Sequence, residues 1–99
     1  MHYLKQYDDG IGIKGALSST SSFSLEGAAI SFYFLDYEIP CQVTNADTNE
    51  VLAVLESTHT EKLGKHRGVF RVTFPDGRKE TFPSNGYVDI LIQKNIGGN

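Results

Sequence analysis

Apolar residues recur at every second position in this chain, and turn residues interrupt them roughly every ten. That pattern restricts the chain to β-sheet architectures. The strongest instance is Ala28-Ala-Ile-Ser-Phe-Tyr-Phe-Leu35. Ile30, Phe32 and Phe34 fall on one side, and Ser31, Tyr33 and Leu35 on the other. Both rows are largely apolar. A strand with one wet face should alternate apolar and polar residues, so the second row is expected to lie under a loop or against another subunit.

The remaining strands follow by the same rule. Ile39-Pro-Cys-Gln-Val43 carries Pro40, which lacks an N–H and belongs at a strand start or an edge. Asn45-Ala-Asp-Thr-Asn49 is a turn leading into Val51-Leu-Ala-Val-Leu55. Glu56 to Lys65 is polar, with room for one helical turn. Gly68-Val-Phe-Arg-Val-Thr-Phe74 alternates cleanly, and Pro75-Asp-Gly77 makes a hairpin to Lys79-Glu-Thr-Phe82. A turn over Pro83–Gly86 leads to the last strand, Tyr87-Val-Asp-Ile-Leu-Ile-Gln93. Gly10–Gly15 adds a short edge strand. Strand facing predicts a core of Ile30, Phe32, Phe34, Val43, Leu52, Val54, Phe70, Val72, Phe74, Val88, Ile90 and Ile92. The fold expected is an antiparallel β-sandwich or small barrel of six or seven short strands. An irregular arm over 1–15 precedes the sandwich domain at 16–96, Ser18–Ser22 is a polar linker, and 97–99 forms a flexible tail.

A chain of 99 residues is one domain. Its 39% hydrophobic and 21% charged residues are those of a globular chain. The net charge of −3 argues against nucleic-acid binding, which calls for a basic surface to displace counterions. The charge is uneven. Residues 1–49 hold two Lys and six acids, and residues 50–99 hold seven Lys/Arg and six acids. The first nine residues have no apolar run of a secretory signal, and no stretch approaches a membrane span. With one cysteine and no Asn-x-Ser/Thr acceptor, the reading is a protein assembled in a reducing cytoplasm.

No catalytic, cofactor or metal site is expected. Cys41 sits in an apolar strand without a base or oxyanion donor beside it and reads as a core hydrophobe. Asn45, Asp47, Asn49 and Glu56 fit a calcium-loop frame, except that Glu50 stands where the sharp turn requires glycine. His59 and His66 read as solvent-exposed, with no thiolate near them. Asp36 and Glu38 read as solubilising charges at a strand end. Lys62, Lys65, His66, Arg67, Arg71, Arg78 and Lys79 form the basic concentration, interleaved with Glu56, Glu61, Asp76 and Glu80. The aromatic row is more informative: Tyr33, Leu35 and Tyr37 continue one face of the best strand, and tyrosine is favoured at protein interfaces. These three are the candidate protein-interface residues.

From Phe23 to Ile92 the order of features resembles the N-terminal domain of tailed-phage upper baseplate proteins and related small phage tail proteins. The matching pieces are Gly27-Ala-Ala-Ile-Ser-Phe-Tyr-Phe34, Asn49-Glu-Val-Leu-Ala-Val-Leu55, Gly64-Lys-His-Arg-Gly-Val-Phe-Arg-Val72, Asp76-Gly-Arg-Lys-Glu-Thr-Phe-Pro83 and Val88-Asp-Ile-Leu-Ile92. The resemblance implies an immunoglobulin-like sandwich that docks on other phage tail or baseplate proteins, or on copies of itself, and carries no catalytic residues. It implies a place in the virion tail, with assembly in the host cytoplasm. Two other functions remain open at this point: a small phage-encoded inhibitor of a host protein, and a carbohydrate-binding β-sandwich, which the absence of tryptophan disfavours.

Overall fold

Alternation determines where each strand of the computed structural model lies. The structure describes residues 2–17, 25–45, 47–83 and 86–96. Among these, eight strands form one sheet: β1 (His2–Lys5), β2 (Ile11–Ala16), β3 (Ala29–Phe34), β4 (Tyr37–Asn45), β5 (Glu50–Leu55), β6 (Gly64–Thr73), β7 (Lys79–Phe82) and β8 (Val88–Gln93). The order across the sheet is β1-β8-β6-β3-β4-β5-β2, with β7 also paired to β6. The sheet is nearly closed into a barrel. All pairs are antiparallel except β1 with β8.

Two strands are shared along their length. The first half of β6 pairs with β8 and the second half with β7, while β3 lies on its other side. Strand β4 pairs with β3 up to Pro40 and with β5 from Cys41 onward. Pro40 therefore sits where β4 changes partners, the position at which a missing N–H disturbs the ladder least.

The core runs across this frame. Phe82, Phe70, Phe32 and Ile39 stand opposite one another on β7, β6, β3 and β4, all buried. Phe32 and Phe70 have ring centroids 4.8 Å apart, a tilted contact of the kind aromatic quadrupoles favour. From the other side come Ile13, Val51, Ala53 and Leu55, all fully buried. Glycine makes this meeting possible. A Cβ at Gly15 would lie 2.7 Å from the Phe70 ring, and one at Gly68 would lie 2.5 Å from the Phe32 ring.

The end of the barrel beside β1 is closed by a short 3-10 turn, Ser57–Thr60. Its Thr60 is fully buried, with Oγ1 within hydrogen-bonding reach of the Asp8 and Ser57 carbonyls. Tyr7 N–H donates to the Thr60 carbonyl and Ser57 N–H to Asp9 Oδ1. The β1–β2 turn is thereby tied to the connection between β5 and β6.

Several expectations are corrected. Within the segment 1–15, read as an irregular arm with a short edge strand at Gly10–Gly15, that strand is present as β2 at the end of the sheet order, and His2–Lys5 adds β1 where no strand was expected. Strand β1 has no local partner, because it pairs with β8 at the far end of the chain, and it raises the strand number above the six or seven expected. In β5 the facing is reversed: Val51, Ala53 and Leu55 are buried, whereas Val54 is 41% exposed and Leu52 half-buried. Every residue of that run is apolar, so alternation had no polar member to fix its phase. Leu52, paired with Lys14, reaches diagonally over Gly12 on the outer side, where a Cβ added at Gly12 would meet its Cδ1 at 2.7 Å. Val43 is 39% exposed although it stands opposite buried Val51, just before the irregularity in the β4–β5 register, and Val88 is half-buried against the core. The other eight expected core residues are buried. The linker at 18–22 and the tail at 97–99 lie outside the described residues.

Candidate functional site

Strand β6 is the longest element, and its two faces differ completely. Gly68, Phe70 and Val72 point into the core, so Lys65, Arg67, Val69, Arg71 and Thr73 point outward. Cross-strand pairing brings other outward residues beside them: Tyr33 opposite Val69, Ser31 and Thr81 opposite Arg71, Asp89 opposite Arg67, and Leu91 opposite Lys65. Tyr3 lies opposite Leu91 on the next strand. Tyr87 immediately precedes the Val88–Gly68 pair and so flanks Val69 from the other side.

Two arginines organise this face. The Arg71 guanidinium lies 5.4 Å from the centre of the Tyr33 ring, and that of Arg67 lies 5.2 Å from the Tyr87 ring. Attraction between a cation and a ring face holds such a pair together. The Tyr33 hydroxyl donates to Glu38 Oε1 at 2.9 Å. That bond raises the phenol's pKa, since ionisation would lose it and set two negative charges side by side. Among the described residues neither arginine is ion-paired; the ion pair present is Arg78–Asp76 in the β6–β7 hairpin. The face carries the cations Lys5, Lys65, Arg67, Arg71 and Lys79 against the carboxylates Glu38 and Asp89, although the whole chain is net −3. Tyr87 is 58% exposed and Tyr3 67%.

The three candidate interface residues do not share one face. Tyr33 belongs to the outward surface just described. Leu35 is at the tip of the two-residue β3–β4 hairpin, 40% exposed, at φ +52. Tyr37 stands opposite Phe34, so it lies on the inner side, where its ring meets Phe34 and the edge of His59, and its hydroxyl donates to the Thr58 carbonyl. The hairpin ends the strand at Phe34, and the alternation does not carry through a turn. The neighbours Arg67, Arg71, Tyr87 and Tyr3 were absent from the sequence-derived trio. The one signal for them is the strict alternation of β6, which places Arg67, Val69 and Arg71 on one side.

Other candidates resolve individually. His59 and His66 are half-buried, contrary to expectation. His59 Nδ1 accepts from Glu56 N–H at 2.9 Å, and His66 Nε2 lies 2.9 Å from the Lys62 carbonyl. Asn45 Oδ1 accepts from Asp47 and Thr48 N–H, forming the β4–β5 turn. Asp36 lies in a hairpin turn and Glu38 on a strand, so they are not a pair of carboxylates on one strand face. Cys41 is half-buried, and burial pushes its thiol up to about 11. The basic concentration divides: Lys65, Arg67, Arg71 and Lys79 point outward on the tyrosine-bearing sheet, His66 points inward, and Arg78 caps the hairpin over Phe74.

Comparison with known protein families and with characterised proteins found no match to this chain.

Proposed function

We propose that the chain is a protein-docking module of a bacteriophage tail or baseplate, built as an immunoglobulin-like sandwich and acting without catalysis. The observation that carries the docking reading is the outward face of β8-β6-β3, where two arginines with no ion pair among the described residues rest on tyrosine rings around Val69. Tyrosine and arginine are the residues that dominate binding energy at protein interfaces, and a preorganised pair loses little freedom on binding.

Strand order supports the sandwich form. Runs β8-β6-β3 and β2-β5-β4 follow the order of the G-F-C and B-E-D sheets of immunoglobulin domains, with β4 passing between them. Support for the phage setting is the resemblance over Phe23–Ile92. The carbohydrate reading is disfavoured because Arg67 and Arg71 each occupy one face of the Tyr87 and Tyr33 rings, and the chain has no tryptophan. Mass spectrometry of purified particles of the encoding phage tests the setting: the chain is expected among the tail proteins, and its absence from them would refute a virion role. For the surface, Tyr33→Ala with Tyr87→Ala is expected to lower incorporation at least tenfold while leaving the β-sheet circular-dichroism signal intact.

A further inference from the structure

We infer that the β8-β6-β3 face receives an extended acidic segment of a partner protein, with two carboxylates set four residues apart around an apolar side chain. The inference rests on the docking reading and names the partner's chemistry.

The geometry of β6 supplies the spacing. Arg67 and Arg71 point to the same side of one strand, their Cα atoms about 13 Å apart at the strand rise, and their guanidiniums lean inward over Tyr87 and Tyr33, which flank Val69 on opposite sides. A guanidinium presents a planar fork of donors that matches a carboxylate, and it can stack on an aromatic ring while doing so. Each arginine has its ring, Tyr87 or Tyr33, but no carboxylate partner among the described residues. Asp89 stands opposite Arg67 without an ion pair, and Glu38 is occupied by the Tyr33 hydroxyl. Between the forks lies Val69, half-buried and flanked by the two tyrosines, a seat for an apolar side chain. An extended segment laid along β6 with its third residue over Val69 places its first and fifth residues on either side of that seat, from which long carboxylate side chains turn inward toward the guanidiniums over Tyr33 and Tyr87.

A short carboxylate segment is favoured over a nucleic acid by the charge distribution. Five cations face two acids here, yet the rest of the molecule is strongly acidic. Two local contacts feel mainly the charges within a Debye length of about 10 Å. A polyanion tracking a longer path gains affinity from many phosphate contacts and would meet that acidic remainder.

The test uses the full chain and fluorescence anisotropy at low salt. Three labelled probes are compared: a twelve-residue peptide with a central Glu-x-Leu-x-Glu, the same peptide with Gln for both Glu, and a twelve-nucleotide oligothymidylate. The acidic peptide is expected to bind at least tenfold more tightly than either of the others. Arg67→Gln and Arg71→Gln should each weaken it at least fivefold, and Arg71→Lys, which keeps the charge but removes the fork, at least threefold. Equal affinity for the Gln peptide overturns the proposal. Oligothymidylate binding without peptide binding also overturns it and assigns the face to nucleic acid. Self-association that Arg67→Gln abolishes, with no peptide binding, makes a second copy the occupant instead. The docking reading is judged separately: failure of the peptides while the tyrosine variants still impair particle incorporation discards only the partner chemistry, whereas unimpaired incorporation discards docking itself.

Discussion

The β3-β6 half of the molecule and the β2-β5 half are built from opposite kinds of residue. Inside, β3 and β6 contribute rings, Phe32, Phe34 and Phe70, whereas β2 and β5 contribute Ile13, Gly15, Val51, Ala53 and Leu55. The contrast is one of fit, since Phe70 occupies the space that a Cβ at Gly15 would need. Interiors pack at crystal density, and large residues on one layer call for small ones opposite. Outside, the contrast repeats in another form. The β3-β6 half shows tyrosines and arginines, and the β2-β5 half shows Val54, Leu52 and Lys14. Scattered exposed aliphatics are ordinary for a protein surface, whereas stacked Arg–Tyr pairs are a constructed feature. Both faces of the ring-bearing half thus differ from the other half, with packed rings inside and Arg–Tyr stacks outside.

The largest expected effect breaks the ring layer. Phe70→Ala should destabilise the domain by about 3–5 kcal/mol in urea unfolding, and a loss below about 1 kcal/mol would contradict its central place. Gly15→Ala should cost about 1–3 kcal/mol by overpacking against that ring. Combining it with Phe70→Leu should recover part of the cost, with a coupling energy of about 0.5–3 kcal/mol in a double-mutant cycle; strict additivity would separate the two residues. The phase of β5 can be checked by one substitution at two sites. Val51→Thr should cost about 1–3 kcal/mol by burying a hydroxyl, and Val54→Thr should stay within about 0.5 kcal/mol. A smaller effect of opposite sign is expected at the hairpin tip. Leu35→Asn should raise stability by up to about 1 kcal/mol, because Asn tolerates the positive φ that leucine adopts there at a strain cost.

Cys41, on the strand that joins the two halves, gives a pH signature. Burial holds its thiol neutral, so the folded chain keeps a proton that the unfolded chain has lost between the ordinary 9.0 and about 11. Stability should therefore decline as pH rises through that window, and Cys41→Ala should flatten the decline. Maleimide should modify the folded protein at pH 8 at least tenfold more slowly than free cysteine, and equal rates would place the thiol in open solvent.

Strand facing was legible wherever polar residues interrupted an apolar row. In β6, Arg71 and Thr73 fixed the phase, and Phe70, Val72 and Phe74 are buried as that phase requires. The all-apolar run of β5 had no such marker and came out reversed. Half of the candidate surface was visible in the same way, as the Arg67–Val69–Arg71 row, but its tyrosines come from β1, β3 and the approach to β8, which only the sheet order brings together. Tyr37 shows the converse: a row drawn through Leu35 crosses a turn, and the chain reverses its facing there.

By itself the sequence determined that the chain pleats, where it turns and which side of its polar-marked strands is dry, because those follow from side chains within a few residues of one another. Tertiary structure decided the pairing of β1 with β8, the seating of Phe70 over Gly15 and the stacking of Arg67 on Tyr87. Each of these joins residues distant along the chain, and their free energy is gained only when backbone hydrogen bonding and close packing agree on a single register.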